Sequence, residues 1–310
     1  RLGRLWADLA ATLEDPWLLA VDQEGGRVSR LEPWAGATPS AARIGVAGAE
    51  HAFDFGRATG KVLAALGFDL DFAPVVDLCP PGTPNGIGDR AYATDPVLAT
   101  HVAGSFLDGL QRAGVAGCIK HFPGLGDTAV DSHVALPTVE RDAGRLHELD
   151  LAPYRVLGRR PAAVMVGHGH YPALGMAPRT PASLAPEVVS DLLRGTLGYD
   201  GLVVSDDLEM GAVAPLDVDG RAAVAAISCG CDLLPYCADL DRAAAAHAAV
   251  VAAARESERF AERLHDAARR VRRTAARWPV RRPDAAAFED ARQALAAAVS
   301  AIDRAAPADA

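Results

Sequence analysis

The chain has 310 residues, half of them hydrophobic and 23% charged, which suits a well-buried globular core and argues against wholesale disorder. Its formal net charge of -9 argues against nucleic acid as a partner, because phosphate binding needs a basic face. It contains no apolar run of membrane-spanning length and no recognisable signal peptide.

Arg1 to Glu14 reads as an amphipathic helix, with Leu2, Leu5, Trp6, Leu9 and Leu13 at helical spacing, stopped by Pro16. Trp17 to Val21 reads as a strand that ends in Asp22-Gln23-Glu24-Gly25-Gly26-Arg27. Glu50 to Leu66 is a helix closed by Gly67, and Phe68 to Val76 a strand leading into a Pro/Gly-rich loop with Asp89 and Arg90. Asp95 to Ala113 is a helix, followed by an apolar strand from Gly114 to Ile119. Asp142 to Leu157 is a helix and Ala162 to Val166 a strand ending in Gly167-His168-Gly169-His170. Pro186 to Leu197 is a helix with Gly198 at its C-cap. Leu202 to Val204 is a strand ending in Ser205-Asp206-Asp207, Asp219 to Ser228 a helix, and Cys231 to Cys237 a sixth strand. Alanine-rich helices fill Leu240 to Trp278. Residues 279–310 form a separate polar tail, helical over Ala285 to Ile302 and frayed beyond, after a catalytic region spanning 1–278.

Six strands alternating with helices predict an α/β fold of the (β/α)8-type TIM barrel class. The ionisable residues Asp22, Lys120-His121, His168 and Asp206 all fall at carboxyl ends of strands, the face that carries barrel active sites. No GxGxxG follows any strand, which argues against an open dinucleotide-binding sheet. Six units are too few for eight strands, so the first two βα units are expected to be missing from this chain. The chain opens on Arg1 rather than Met, which leaves its true N-terminus open. Five cysteines (Cys79, Cys118, Cys229, Cys231 and Cys237) form an odd set without framework spacing, which favours a reducing compartment; a cytoplasmic setting is expected, with a secreted or lipid-anchored form left open. The basic run Arg269 to Arg282 reads as a solvated helix face.

The stretch Lys120 to His133, KHFPGLGDTAVDSH, places a lysine, two histidines and two aspartates within fourteen residues, far more ionisable groups than a turn needs. Asp131, two residues before His133, can fix the imidazole tautomer and raise its pKa, making His133 a proton donor near neutral pH. Asp206 at a strand end can act as nucleophile, metal ligand or cap, and Asp207 suits a turn cap. Asp22, Arg30, Arg90, Lys120 and His121 supply donors and acceptors for a hydroxyl-rich ligand. Arg27 can equally pair with Glu24, and Lys120 with Asp22. His168 and His170, on alternate residues, also allow a metal site.

At these residues the sequence resembles glycoside hydrolase family 3, specifically its single-domain bacterial β-N-acetylglucosaminidases. The resemblance rests on AVDQEGGRVSRL (Ala20–Leu31), FAPVVDL (Phe72–Leu78), GDRAYATDP (Gly88–Pro96), KHFPGLGDTAVDSH and GLVVSDDLEMGAV (Gly201–Val213), in the family's order. It implies a (β/α)8-type barrel with no cofactor and no metal. It also implies Asp206 as nucleophile, His133 as acid/base with Asp131 as its partner, and Asp22, Arg30, Arg90, Lys120 and His121 at the sugar. The implied substrates are muropeptides in cell-wall recycling, with GlcNAc released with retention. Leu125 departs from the family's histidine, Tyr92-Ala93 from its aromatic-Gly pair, and GHGHYPAL from a more apolar run.

The expected mechanism is attack by Asp206 on the anomeric carbon, with His133 protonating the leaving oxygen and then deprotonating water. A base that is neutral after losing its proton does not repel an anionic acceptor, so phosphate can compete with water. Gly124 and Gly126 are expected to let the loop swing His133 over a bound substrate. Other readings stay open here: a family 3 β-glucosidase or phosphorylase, a metal-dependent barrel hydrolase using His168, His170 and Asp206, and a truncated relative that binds sugar without turnover.

Overall fold

Short apolar runs ending in charged residues become strands, and the longer periodic runs become helices. The structure, a computed structural model, describes residues 2–12, 17–80, 83, 85–128, 130–279 and 281–306. Five strands follow the sheet order β1-β2-β3-β4-β5: β1 Ala20–Val21, β2 Leu70–Asp71, β3 Ala116–Phe122, β4 Ala163–Val166 and β5 Leu202–Ser205. The pairs β1/β2, β2/β3 and β4/β5 run parallel. Every residue of β3, β4 and β5 is buried, as in a parallel sheet covered on both faces, so the expected α/β class with a parallel sheet is present. Among the described residues no helix is long and apolar enough to cross a membrane.

The chain divides into two compact units: Arg1–Val76 with Asp89–Ile119 and Arg272–Ala310, and Asp77–Gly88 with Lys120–Val271. Strand β3 passes from the first into the second between Ile119 and Lys120.

In the first unit the N-terminal helix covers Leu2–Thr12; Arg1, Leu13, Glu14 and Pro16 lie outside the described residues. The helix Ala49–Leu66 ends on Gly67, whose φ of 90° is the left-handed cap conformation. Asp95 caps the helix Pro96–Arg112 by accepting the Leu98 N–H. These two helices pack backbone against backbone: a Cβ on Gly56 would lie 2.3 Å from the Phe106 carbonyl, and one on Gly109 would lie 2.1 Å from that of Phe53. The strand expected over Phe68 to Val76 shortens to β2, because Pro74 has no N–H to donate; beyond it single bonds persist, Phe72 N to Val21 O and Cys118 N to Ala73 O. The helix Ala285–Ala305, capped by Asp284, lies in this unit and buries Ala291, Leu295 and Ile302.

Asp69, just before β2, is buried; its Oδ1 accepts the Leu19 N–H at 2.8 Å, and Oδ2 has no hydrogen-bond partner among the described residues. Burial pushes its carboxyl up to about 7 against the lowering pull of the Leu19 N–H. The folded chain therefore keeps a proton that the unfolded chain releases, and stability falls as pH rises from the ordinary aspartate range through the raised value. Asp69→Asn is expected to flatten that dependence, as urea midpoints of both proteins at about pH 5 and about pH 8 will report.

In the second unit, Gly167 N bonds Phe122 O at the end of β3, and β4 pairs with β5 in the register Ala163↔Leu202 to Val166↔Ser205. The helix expected over Asp142 to Leu157 is broken into Ala143–Arg145, a wider π turn over Leu146–Asp150, and Ala152–Leu157. Leu151 N reaches back five residues to Leu146 O, and Pro153 cannot restore the ordinary ladder. The sixth strand expected over Cys231 to Cys237 is reduced to one bridge, Val204↔Leu233. Backbone bonds continue there, from Asp232 N and Leu233 N to Val203 O and from Ser205 N to Leu233 O, while Asp232 Oδ2 accepts the Val203 N–H at 3.0 Å and Pro235 offers no N–H to extend pairing.

Asp232 is also an ionic hub, its carboxylate accepting from Arg194 Nη2 (2.5 Å) and Arg263 Nη2 (2.6 Å) with its own side chain fully buried. Asp232→Ala leaves the poorly solvated Arg194 without its counter-charge and Arg263 with only Asp266, and is expected to cost about 3–5 kcal/mol. Urea denaturation at neutral pH measures it, and a loss within error of zero would contradict the hub role.

Candidate active site

The carboxyl ends of three strands in the second unit converge on one carboxylate. Strand β3 ends in Lys120, His121 and Phe122, with Lys120 and His121 buried. Strand β4 is followed by Gly167 and the fully buried His168, and β5 by the half-buried Asp206. The Asp206 N–H donates to Val166 O at 2.9 Å, and its Oδ1 accepts the Asp207 N–H at 2.9 Å. Burial raises the Asp206 carboxyl, but the His121 and His168 rings, the Asp207 N–H and the Lys120 ammonium overcome it and hold the group below the ordinary aspartate value. The result is an anion at neutral pH at the carboxyl end of β5. Asp207 caps the turn, its Oδ1 accepting the Glu209 N–H at 3.0 Å. Leu208 and Val213 anchor the segment beyond it in a core with Ile227, Val250 and Phe260.

Each histidine near Asp206 is held by a specific partner. His121 Nδ1 lies 2.7 Å from Asp77 Oδ2, a carboxylate whose side chain is entirely buried. His168 Nε2 lies 2.9 Å from the Asp207 carbonyl, which only accepts, so Nε2 carries the hydrogen and Nδ1 accepts from Ser183 Oγ at 2.8 Å. Burial pushes the His168 imidazole below its ordinary pKa. Both His168 nitrogens are thus committed to protein partners, while His170 Nδ1 stands 3.3 Å from Thr180 O. This donor set does not fit a His168–His170–Asp206 metal centre, and among the described residues no group of three His, Cys, Asp or Glu side chains could hold an ion.

His133 and Asp131 stand as a pair on the loop after β3. Asp131 Oδ1 accepts from both His133 N (2.9 Å) and Nδ1 (2.8 Å), which places the hydrogen of a neutral ring on Nδ1 and turns Nε2 outward. The His133 side chain is 67% exposed, so it can exchange protons with water. Backbone bonds tie this loop to the exit of β5: Gly211 N to His133 O and Ala212 N to Ser132 O, both 3.2 Å. A Cβ on Gly211 would lie 2.5 Å from Val134 O, so the two segments touch main chain to main chain.

The glycines expected to act as hinges are packing positions. A Cβ on Gly126 would lie 1.8 Å from Leu78 O, and one on Gly124 would lie 2.6 Å from Asp150 Cβ. Asn85 Nδ2 donates to Gly126 O (2.9 Å), and Tyr171 Oη to Gly124 O (2.7 Å). Arg141 closes the far side, donating to Asp127 Oδ2 (2.7 Å) and to buried Asp150 Oδ2 (2.6 Å). Burial pushes the Asp150 carboxyl up to about 6, against the pull of Arg141.

The remaining sugar-binding candidates lie in the first unit. Asp22 follows β1 and is half-buried. Arg90 engages Glu24, Nε to Oε2 and Nη2 to Oε1, both 2.7 Å, in a bidentate fork with Glu24 nearly buried. Arg27 pairs with exposed Asp89 at 3.0 Å. The Arg30 side chain is exposed, while its N–H and that of Leu31 donate to Gln23 Oε1, which shapes the glycine turn. Sequence reasoning assigned no role to Asp77 or Asn85 and read Glu24 only as a pairing partner for Arg27. Asp77 closes the run Phe72–Leu78 after an apolar strand, the same placement that singled out Asp206.

Residues 5–274 match the glycosyl hydrolase family 3 N-terminal domain. The chain is 35% identical over 300 residues to a beta-hexosaminidase of Thiobacillus denitrificans, covering 86% of this chain and 82% of that protein. It is 39% identical over 247 residues to a beta-hexosaminidase of Bordetella avium, covering 76% and 69%. Among solved structures, a glycoside hydrolase family 3 beta-N-acetylglucosaminidase from Paenibacillus sp. str. FPU-7 superposes with a TM-score of 0.87 at 36% identity over 98% of this chain. This chain spans 60% of the length of that one.

Proposed function

This chain belongs to glycosyl hydrolase family 3, and from that membership we propose that it is a retaining exo-β-N-acetylglucosaminidase acting through a covalent glycosyl-Asp206 intermediate. The observation that carries the reading is the Asp206 carboxylate, kept ionised at the end of β5 by His121, His168, the Asp207 N–H and Lys120 despite its burial. A persistent anion of low basicity, fixed by a backbone N–H, suits attack on an oxocarbenium-like centre. His133, oriented by Asp131 and open to solvent, supplies the proton to the leaving oxygen and later takes one from water. Lys120 and His121, beside Asp206, are proposed to hold the sugar's hydroxyls, and Asp22, Arg30 and Arg90 are sugar-binding proposals of the first unit by itself. Muropeptides of cell-wall recycling are the proposed natural substrates, in keeping with the hexosaminidases and the acetylglucosaminidase to which the chain is similar.

The test is a slow fluorinated GlcNAc donor followed by peptide mapping, run beside turnover assays on aryl β-GlcNAc and aryl β-glucoside. Label on Asp206 and preference for the GlcNAc substrate support the reading. Label elsewhere removes Asp206 as nucleophile, and preference for the glucoside moves the chain to the β-glucosidase reading. Adding phosphate to the assay separates the acceptors, since a phosphorylase yields the sugar 1-phosphate.

A further inference from the structure

We propose that Asp77 is a positioning residue of this site, holding His121 in one tautomer and tying it to the root of the loop that carries His133. The role rests on the glycosidase reading given above, in which His121 faces the sugar. Three N–H groups converge on one carboxylate. Asp77 Oδ2 takes His121 Nδ1 at 2.7 Å and the His121 backbone N–H at 3.3 Å, while Oδ1 takes the Leu125 N–H at 2.8 Å. The Asp77 side chain is wholly buried and that of His121 7% exposed, so water does not compete for these bonds.

The geometry couples two things a glycosidase must place together. With Nδ1–H directed at Asp77, the ring plane of His121 is set and Nε2 is the nitrogen turned away from the carboxylate. The second oxygen fixes Leu125, where the chain leaves β3 and begins the loop to Asp131 and His133. The neighbouring residues continue the cradle: Leu78 O abuts Gly126, Asn85 binds Gly126 O, and a Cβ on Gly86 would lie 2.6 Å from Asp131 Oδ2. Asn at position 77 accepts at one oxygen only, so it must give up either the Leu125 N–H or the Nδ1–H tautomer of His121.

The experiment has two arms. Nitrogen NMR of the unliganded full chain, labelled at histidine, is expected to show His121 protonated at Nδ1, and Asp77→Asn is expected to move that signal. A wild-type His121 bare at Nδ1 overturns the proposal without any substrate present. The second arm is a double-mutant cycle on aryl β-GlcNAc. Asp77→Asn is expected to lower kcat/KM by about 10–100-fold, the range seen when partners of ligand-fixing histidines are removed. The Asp77→Asn, His121→Ala double variant is expected to be no slower than His121→Ala alone, because the first residue acts through the second. Losses that simply add overturn the positioning role and leave Asp77 a structural residue. A wild type that turns over no β-GlcNAc substrate sinks the functional reading instead, and the tautomer measurement still decides for or against Asp77.

Discussion

Asp206→Ala is expected to lower turnover of an aryl β-GlcNAc substrate by on the order of 10⁴-fold or more, the scale of removing a covalent nucleophile. The fold should survive the change. Among the described residues the Asp206 side chain accepts the Asp207 N–H, while the segment beyond it is fixed by fully buried Leu208 and Val213. Circular dichroism and the urea midpoint should therefore match wild type closely, which separates lost chemistry from lost structure. The pH dependence carries a second consequence. Because the Asp206 carboxyl sits below the ordinary aspartate value, it remains ionised as pH falls through the mildly acidic range. Any acid limb of kcat/KM that appears above about 4 must then come from another group. Substantial residual activity in the alanine variant, from a preparation free of wild type, would reject Asp206 as nucleophile.

The parallel α/β class was legible because strands and helices carry different periods, and because charged residues recur where apolar runs stop. Asp206, Lys120 and His121 were legible for the same reason. Their partners were not. Asp77 lies 44 residues before His121, and Arg90 lies 66 residues after Glu24, so neither pairing has a local signature. Arg27 likewise bonds Asp89, 62 residues further on. Strand lengths failed where a proline has no N–H to give the ladder, as at Pro74 and Pro235. Gly124 and Gly126 show why a glycine is ambiguous from sequence alone. The residue that permits motion also permits close approach, and here a Leu78 carbonyl and the Asp150 side chain occupy the space. A swing of the His133 loop, if the reaction uses one, would have to pivot outside those two positions.

His133→Ala separates the two half-reactions, and the expected losses differ by substrate. With a good aryl leaving group, cleavage needs little protonation, so the first step should stay fast while the second loses its base. A burst of released phenol followed by a slow steady state is the expected trace, with the slow phase reduced about 10²–10⁴-fold. With a sugar leaving group both steps need the imidazole, and the burst should vanish. A small anionic nucleophile such as azide should restore the slow phase on the aryl substrate, because it needs no base and meets no carboxylate at position 133. Asp131→Ala should reproduce a weaker form of the same pattern: the ring survives but loses the acceptor that holds Nδ1–H at 2.8 Å and the backbone N–H at 2.9 Å. The two variants therefore test one physical idea from both ends. A solvent-open imidazole becomes a directional proton carrier only when a carboxylate fixes which nitrogen faces the reacting oxygen. If deglycosylation in His133→Ala runs at the wild-type rate, the base is some other group, and the Asp131–His133 pair is a surface turn.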